Sequence, residues 1–285
     1  MENQENGQRV LRRIVICADD FGMNRAVDAG ILDLARAGRL GAVSCMSLGP
    51  SFPEHAAALR EMDVDAGLHF DLTEGVGGQE PAVALKTLIG WAYTGRLVPS
   101  WVNGHLERQL DAFERIYDAA PAYLDGHQHV HQLPGVLPRV IEIMQRRYGA
   151  RMPWLRCTLP RSQPGVGLAN VFKAQVIGAL GGHALRRAVR RHGWRSNERF
   201  LGVYGLSGGA EHYAQLLGRW FDAAQDGDLM MCHPAHAVAP GEGDALMQQR
   251  AAEFEVLSSE DMPRWLSASG LWVERLSRIM PLPAP

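Results

Sequence analysis

The sequence is short of cysteine. Among 285 residues there are four, Cys17, Cys45, Cys157 and Cys232, with no C-x-x-C pair. Each sits in an apolar, strand-like run, which argues against a disulfide framework and predicts buried free thiols in a reducing compartment. No apolar run is long enough to cross a bilayer. The polar start MENQENGQRVLRR has no apolar signal core, and together these absences predict a soluble, cytoplasmic protein. An excess of charge of one sign is missing too. The formal net charge is −2, so nothing in the overall balance asks for a nucleic-acid or anionic-membrane partner. Arg186, Arg187, Arg190 and Arg191 form a local exception and read most simply as a solvated helix face. No internal repeat occurs, and the ends MENQENGQ and PLPAP read as frayed.

What remains is globular: hydrophobic residues make up 46% and charged residues 21%, so a large core is expected. Short apolar runs alternate with helical patterns. Strands are predicted at Arg12–Ala18, Val43–Leu48, Ala66–Leu72, Ala122–Gly126, Pro153–Thr158, Phe200–Gly205, Asp228–Cys232 and Gly270–Leu276. Helices are predicted at Asn24–Gly38, around Ala56–Leu59, and at Trp101–Ala119, Val136–Tyr148 and Asp244–Leu257. This alternation implies parallel pairing, as a doubly wound sheet or a barrel, in a single domain whose core spans about residues 12–276. Two segments break the rhythm, 74–100 and 160–199. They read as insertions that carry substrate contacts.

Polar groups gather at strand ends. ADDFG follows the first strand, GLHFD ends the third, LDGHQHVH follows the fourth, Arg156 interrupts the fifth, and MMCHPAH follows the strand at Asp228. In β/α folds the C-terminal strand ends share one opening, where active sites lie. Asp19 and Asp20 side by side after a buried strand repel each other, and a cation relieves that; the plainer reading is a helix cap with its neighbour in water. Phe21-Gly22 permits a turn that aims both inward. His69 and Asp71 share one side of their strand. His127, His129 and His131 share a side if extended, whereas His127 and His131 share a face if helical; one or two of the three are expected to be ligands. Two imidazoles and a carboxylate form a common hydrolytic metal set. His233, before Pro234, is placed to donate a proton. A buried Arg156 needs a carboxylate, with Asp19 the natural partner.

ADDFG, GLHF, DGHQHVH and MCHPA, in this order and over residues 12 to 257, make the sequence resemble the YdjC family of carbohydrate deacetylases, which includes chitooligosaccharide and hopanoid-biosynthesis-associated deacetylases. The resemblance implies a distorted (β/α) barrel and one divalent ion, magnesium or zinc. It implies Asp20, His69 and His127 as metal ligands, Asp19 as general base, His233 as general acid and Arg156 as the residue that orients the base. It implies removal of acetyl groups from N-acetylhexosamine units of a small saccharide or a lipid-linked sugar. His129, His131 and Asp125 would then orient a ligand or line the site. The sequence departs from the chitooligosaccharide branch in the two insertions. The Arg-rich helix of the second would suit peripheral contact with a membrane surface, or a homodimer contact. Two rivals stand beside this reading. One is a two-metal phosphoesterase drawing on Asp71 and Asp125. The other is a non-catalytic sugar- or metal-binding protein, which would need no Asp19/His233 pair.

Overall fold

The computed structural model describes residues 11–75, 82–239 and 244–281. The ends read as frayed, except Pro281, and residues 76–81 of the 74–100 segment lie outside those residues. Eight parallel strands form one sheet among the described residues: β1 (Arg12–Phe21), β2 (Ala42–Cys45), β3 (Asp65–Phe70), β4 (Tyr123–Gly126), β5 (Trp154–Leu155), β6 (Phe200–Leu201), β7 (Asp228–Cys232) and β8 (Leu271–Val273). Seven follow the order β5-β4-β3-β2-β1-β7-β6. The eighth pairs the beginning of β1, with Arg12 opposite Leu271, while β2 takes its later half, with Cys17 opposite Ala42. The two edges of this sheet meet through a single bridge between Pro160 and Phe200. The result is the expected α/β class, a distorted and imperfectly closed barrel.

β5 and β6 are shorter than their apolar runs suggested, and the seam between them shows why. The Asn197 side chain accepts from the Cys157 N–H at 2.8 Å and donates to the Cys157 carbonyl at 2.9 Å. A side chain thus replaces a neighbouring strand, and the ladder stops with its polar groups satisfied. The β1 strand is longer than expected and runs through the ADDF stretch. Its interior residues Ile14, Ile16 and Ala18 are fully buried beside Leu68, Leu124 and Met230.

Helices cover the sheet: α1 (Arg25–Arg36), α2 (Phe52–Arg60), α3 (Leu85–Tyr93), α4 (Pro99–Tyr117), α5 (Leu137–Tyr148), α6 (Leu168–Ile177), α7 (His183–His192), α8 (Gly209–Ala223) and α9 (Met247–Ser258). Asn24 caps α1, its side-chain oxygen accepting from the Ala26 and Val27 N–H groups at 3.0 Å. The α4 helix buries Leu106, Leu110 and Phe113, as their spacing requires. The α8 helix was absent from the sequence reading although Tyr213, Leu216, Leu217, Trp220 and Phe221 are all buried along one face. Its N-cap, Gly208, has no side chain to accept from the first turn. The α3, α6 and α7 helices all lie inside the two segments that broke the strand-helix rhythm.

Candidate active site

The site begins with a local irregularity in β1. The register of β1 against β2 slips between Ala18 and Phe21, and Asp20 adopts a left-handed backbone with φ 73°. In a regular strand, Asp19 and Asp20 would face opposite sides. The bulge re-aims one of them, so that both carboxylates line the same cavity. The turn predicted at Phe21-Gly22 exists, with Gly22 at φ 96°, but it is Asp20 itself that takes the strained conformation.

Asp20, His69 and His127 converge. One donor atom from each lies within 4.8 Å of the others. Asp20 Oδ1 is 3.0 Å from His127 Nδ1 and 3.4 Å from His69 Nε2. The opposite ring nitrogens are already committed to carboxylates: His69 Nδ1 to Asp125 at 2.7 Å and His127 Nε2 to Glu74 at 3.2 Å. Metal-ligating histidines are held in this way, the distal N–H fixed by an acceptor so that the free nitrogen faces the ion. Burial alone would lower both imidazole pKa values. The Asp125 and Asp19 carboxylates outweigh it and push His69 up to about 10, and Asp20 pushes His127 up to about 9. The cluster therefore attracts positive charge, and its donor set fits one divalent ion.

The loop after β4 separates the three histidines of the HQHVH stretch. Gln128 and His129 both have left-handed backbones, so the segment is neither extended nor a regular helix. His127 turns to Asp20. His129 lines the cavity edge-on to the Phe200 ring, and burial and the nearby Arg156 charge lower its pKa. His131 folds back underneath, where its Nε2 meets the Arg156 carbonyl at 2.9 Å and burial lowers it to about 4. That fold requires glycine at 126, since a Cβ there would lie 2.9 Å from the His131 backbone nitrogen.

Arg156 is fully buried behind the cluster. It pairs with Asp19 through both terminal nitrogens, at 2.7 and 2.6 Å, and with Asp125 at 2.6 Å. Burial would raise the Asp19 carboxyl, but Arg156 outweighs it and holds Asp19 well below the usual carboxylate range. Cys17, Asp19 and Asp125 also cluster tightly enough to hold an ion, but the Arg156 guanidinium sits among them. Asp71 is not part of the site: its carboxylate accepts from the Thr73 N–H and hydroxyl and from the Glu74 N–H, closing its own turn. Asp125 is engaged by Arg156, His69 and the Ser44 hydroxyl.

Across the cavity, His233 leaves β7 and acts electrostatically on Asp19. Glu253, fully buried on α9, accepts from the His233 backbone N–H at 2.6 Å and from the Tyr204 hydroxyl. One helical turn away, Arg250 is 2% exposed and donates to Asp20 Oδ2 at 2.7 Å. One turn of α9 thus grips both the Asp20 carboxylate and the strand end that bears His233. Arg250, Glu253 and Glu74 were missed in the sequence. The available signal was an Arg and a Glu three residues apart on the buried side of α9, where apolar residues belong.

The cavity has a volume of about 690 Å³. Its floor is polar: Asp19, Asp20, His69, His127, His233 and Arg250. Its walls are mostly apolar, and the two rhythm-breaking segments supply part of them: Leu85 and Ile89 of α3, and Ile177 and Leu180, beside Met23, Leu133, Leu206, Met231 and Leu246 from elsewhere.

A family model described as YdjC-like protein matches residues 13–268. The chain belongs to the YdjC family. Among relatives, it is 30% identical to the mouse (Mus musculus) carbohydrate deacetylase, over 91% of this chain and 92% of the other. It is 27% identical to the carbohydrate deacetylase of Geobacillus stearothermophilus, over 91% and 95%. It is 26% identical to the chitooligosaccharide deacetylase of Enterobacter sp. (strain 638), over 90% and 95%. Among solved structures, it resembles a protein of Enterococcus faecalis V583 with a suggested role in cellobiose-phosphate cleavage. That likeness has a TM-score of 0.68 at 17% identity, covers 94% of this chain and 99% of the other, and speaks for the fold.

Proposed function

We propose that this YdjC-family chain is a carbohydrate N-deacetylase that hydrolyses the acetamide of an N-acetylhexosamine unit with one divalent ion, magnesium or zinc, held by Asp20, His69 and His127. The observation that carries the reading is the pairing of functions around one cluster. A carboxylate clamped by Arg156 and a histidine fixed by Glu253 face the same cavity as the three convergent ligands. The names of the relatives in mouse, Geobacillus and Enterobacter support the same activity. When bound, the ion would supply Lewis acidity toward the acetyl oxygen and acidity to a water molecule.

The residues supply the rest. Asp19, kept ionised by Arg156, accepts a proton from the attacking water as the new C–O bond forms. Arg156 fixes both oxygens of that base, so the proton moves in one geometry. His233 donates a proton to the amide nitrogen as the C–N bond breaks, because an amine leaves far more readily than its anion. Acetate and a free amino sugar result. Asp125 and Glu74 hold the ligand imidazoles in place, and Arg250 offsets the charge of Asp20.

The apolar walls favour a saccharide carrying an apolar aglycone, a glycolipid, over a free oligosaccharide. A polar chain of sugars would leave Leu85, Ile89, Ile177 and Leu180 facing water and hydroxyls. A two-metal phosphoesterase is the poorer reading, since Asp71 and Asp125 have other partners. The four cysteines are buried free thiols, which fits residence in the cytoplasm. Acetate release from N-acetylhexosamines with free, oligosaccharide and alkyl aglycones, with and without chelator, tests the proposal. No release from any of them with magnesium or zinc present would refute it.

A further inference from the structure

Seven large hydrophobic side chains are exposed among the described residues, and five of them lie in the two segments that wall the cavity. Tyr93 and Val98 flank the first wall. Leu168, Phe172 and Val176 are 89%, 71% and 39% exposed on α6. Spaced at four residues, these three share one helical face over two turns. The same helix ends in Ile177, which lines the cavity, so a surface met by that face lies next to the site.

Charge is distributed just as unevenly. No Asp or Glu occurs from residue 160 to 197, a stretch with seven Lys or Arg, or from 82 to 100, a stretch with two. The chain as a whole carries −2, so the acids are concentrated elsewhere. Arg187, Arg190 and Arg191 are exposed on α7 and have no ion-pair partner among the described residues. A solvated helix ordinarily mixes charges of both signs, which these segments do not.

We propose that α6 and the arginine-bearing α7 that follows it dock on an anionic lipid bilayer. Leu168, Phe172 and Val176 would enter the boundary between headgroups and acyl chains, and the arginines would meet lipid phosphates. A second copy of the chain is the weaker occupant. A two-fold contact would set this cationic surface against itself, like charge on like charge. The proposal goes beyond deacetylation, and binding is read without turnover, so either can fail without the other.

The test is co-sedimentation of the full-length protein with vesicles of phosphatidylcholine alone and of phosphatidylcholine mixed with phosphatidylserine. Binding to the mixed vesicles only, weakened by salt, is expected. The paired changes Leu168→Ser and Phe172→Ser, and separately Arg187→Glu and Arg191→Glu, should each weaken binding by about tenfold or more. Both variants alter exposed side chains, so melting curves should match the parent. Turnover of a water-soluble N-acetyl sugar should also stay unchanged. No binding to either vesicle, or unchanged binding by both variants, overturns the proposal. So does a dimer in solution that Phe172→Ser disperses.

Discussion

The floor and the walls of the cavity are built on opposite principles. On the floor, acids and bases are paired: Asp19 and Asp125 with Arg156, Asp20 with Arg250, His69 with Asp125, and His127 with Asp20 and Glu74. Its residues come from β1, β3 and β7, from the ends of β4 and β5, and from α9, so no single loop can move them. Part of the wall comes from α3 and from the segment around α6, where acids are absent and apolar side chains face both the cavity and the outside. Buried charge tolerates only one arrangement, because an unpaired ion in a low-dielectric site is costly. An apolar wall is tolerant, since many shapes bury similar area. The proposed chemistry draws on the floor, and the proposed choice of substrate and of surroundings on the walls.

Changes at the floor should have the larger effects. His127→Ala, or chelation of the native protein, should lower deacetylation by about 10⁴-fold or more, since a Lewis acid contributes several kcal/mol to such a reaction. Metal analysis alongside the assay checks it; full activity in metal-free protein would dissolve the distinction between floor and walls. The metal-free protein should also respond to pH. The carboxylates, outweighing burial, raise His69 from 6.5 to about 10. A group raised on folding stabilises fully below its unfolded value and loses that contribution as pH rises. Thermal melts of chelated protein should therefore fall between pH 6.5 and about 10, and metal should remove that slope.

Asp19→Asn should cost about 10³-fold in activity, within the usual range for general acid–base groups, while metal content is kept. Loss of the metal together with the activity would make Asp19 a ligand and reverse the roles of the two aspartates. His233→Ala should cost about 10²-fold on an acetamide and much less on an activated acetyl ester, whose leaving group needs little protonation. Equal losses on both substrates would reduce His233 to a structural residue. At the walls, Ile177→Ser with Leu180→Ser should raise KM by about tenfold or less for an N-acetyl sugar with an alkyl aglycone. Turnover of the free sugar should not change. An equal effect on both sugars would mean that the wall shapes the floor.

Much of the floor was legible because its motifs are local. Asp19-Asp20 after a buried strand, His69 in GLHF, the His-rich loop and His233 before Pro234 each stood out by sitting where apolar or turn residues belong, and they line one cavity. The three histidines of HQHVH did not reveal their separate roles. These depend on left-handed backbone at Gln128 and His129, which no spacing encodes. Arg250 and Glu253 stayed hidden because their partners, Asp20 and His233, are distant in sequence, and because α9 has no clean apolar stripe to interrupt.

The sequence by itself determined the parallel β/α order, the strand ends that carry the polar groups, and the pairing of a buried Arg156 with Asp19. Hydrophobic periodicity and the cost of unpaired charge act over a few residues or demand a partner by type. Only the tertiary structure decided which imidazole faces which carboxylate, how a bulge turns two neighbouring aspartates into one cavity, and that α3 and α6 wall the same space. Each of those outcomes requires atoms from several strands and helices to meet at hydrogen-bonding or van der Waals distance, and that distance is set by packing, which a linear pattern does not record.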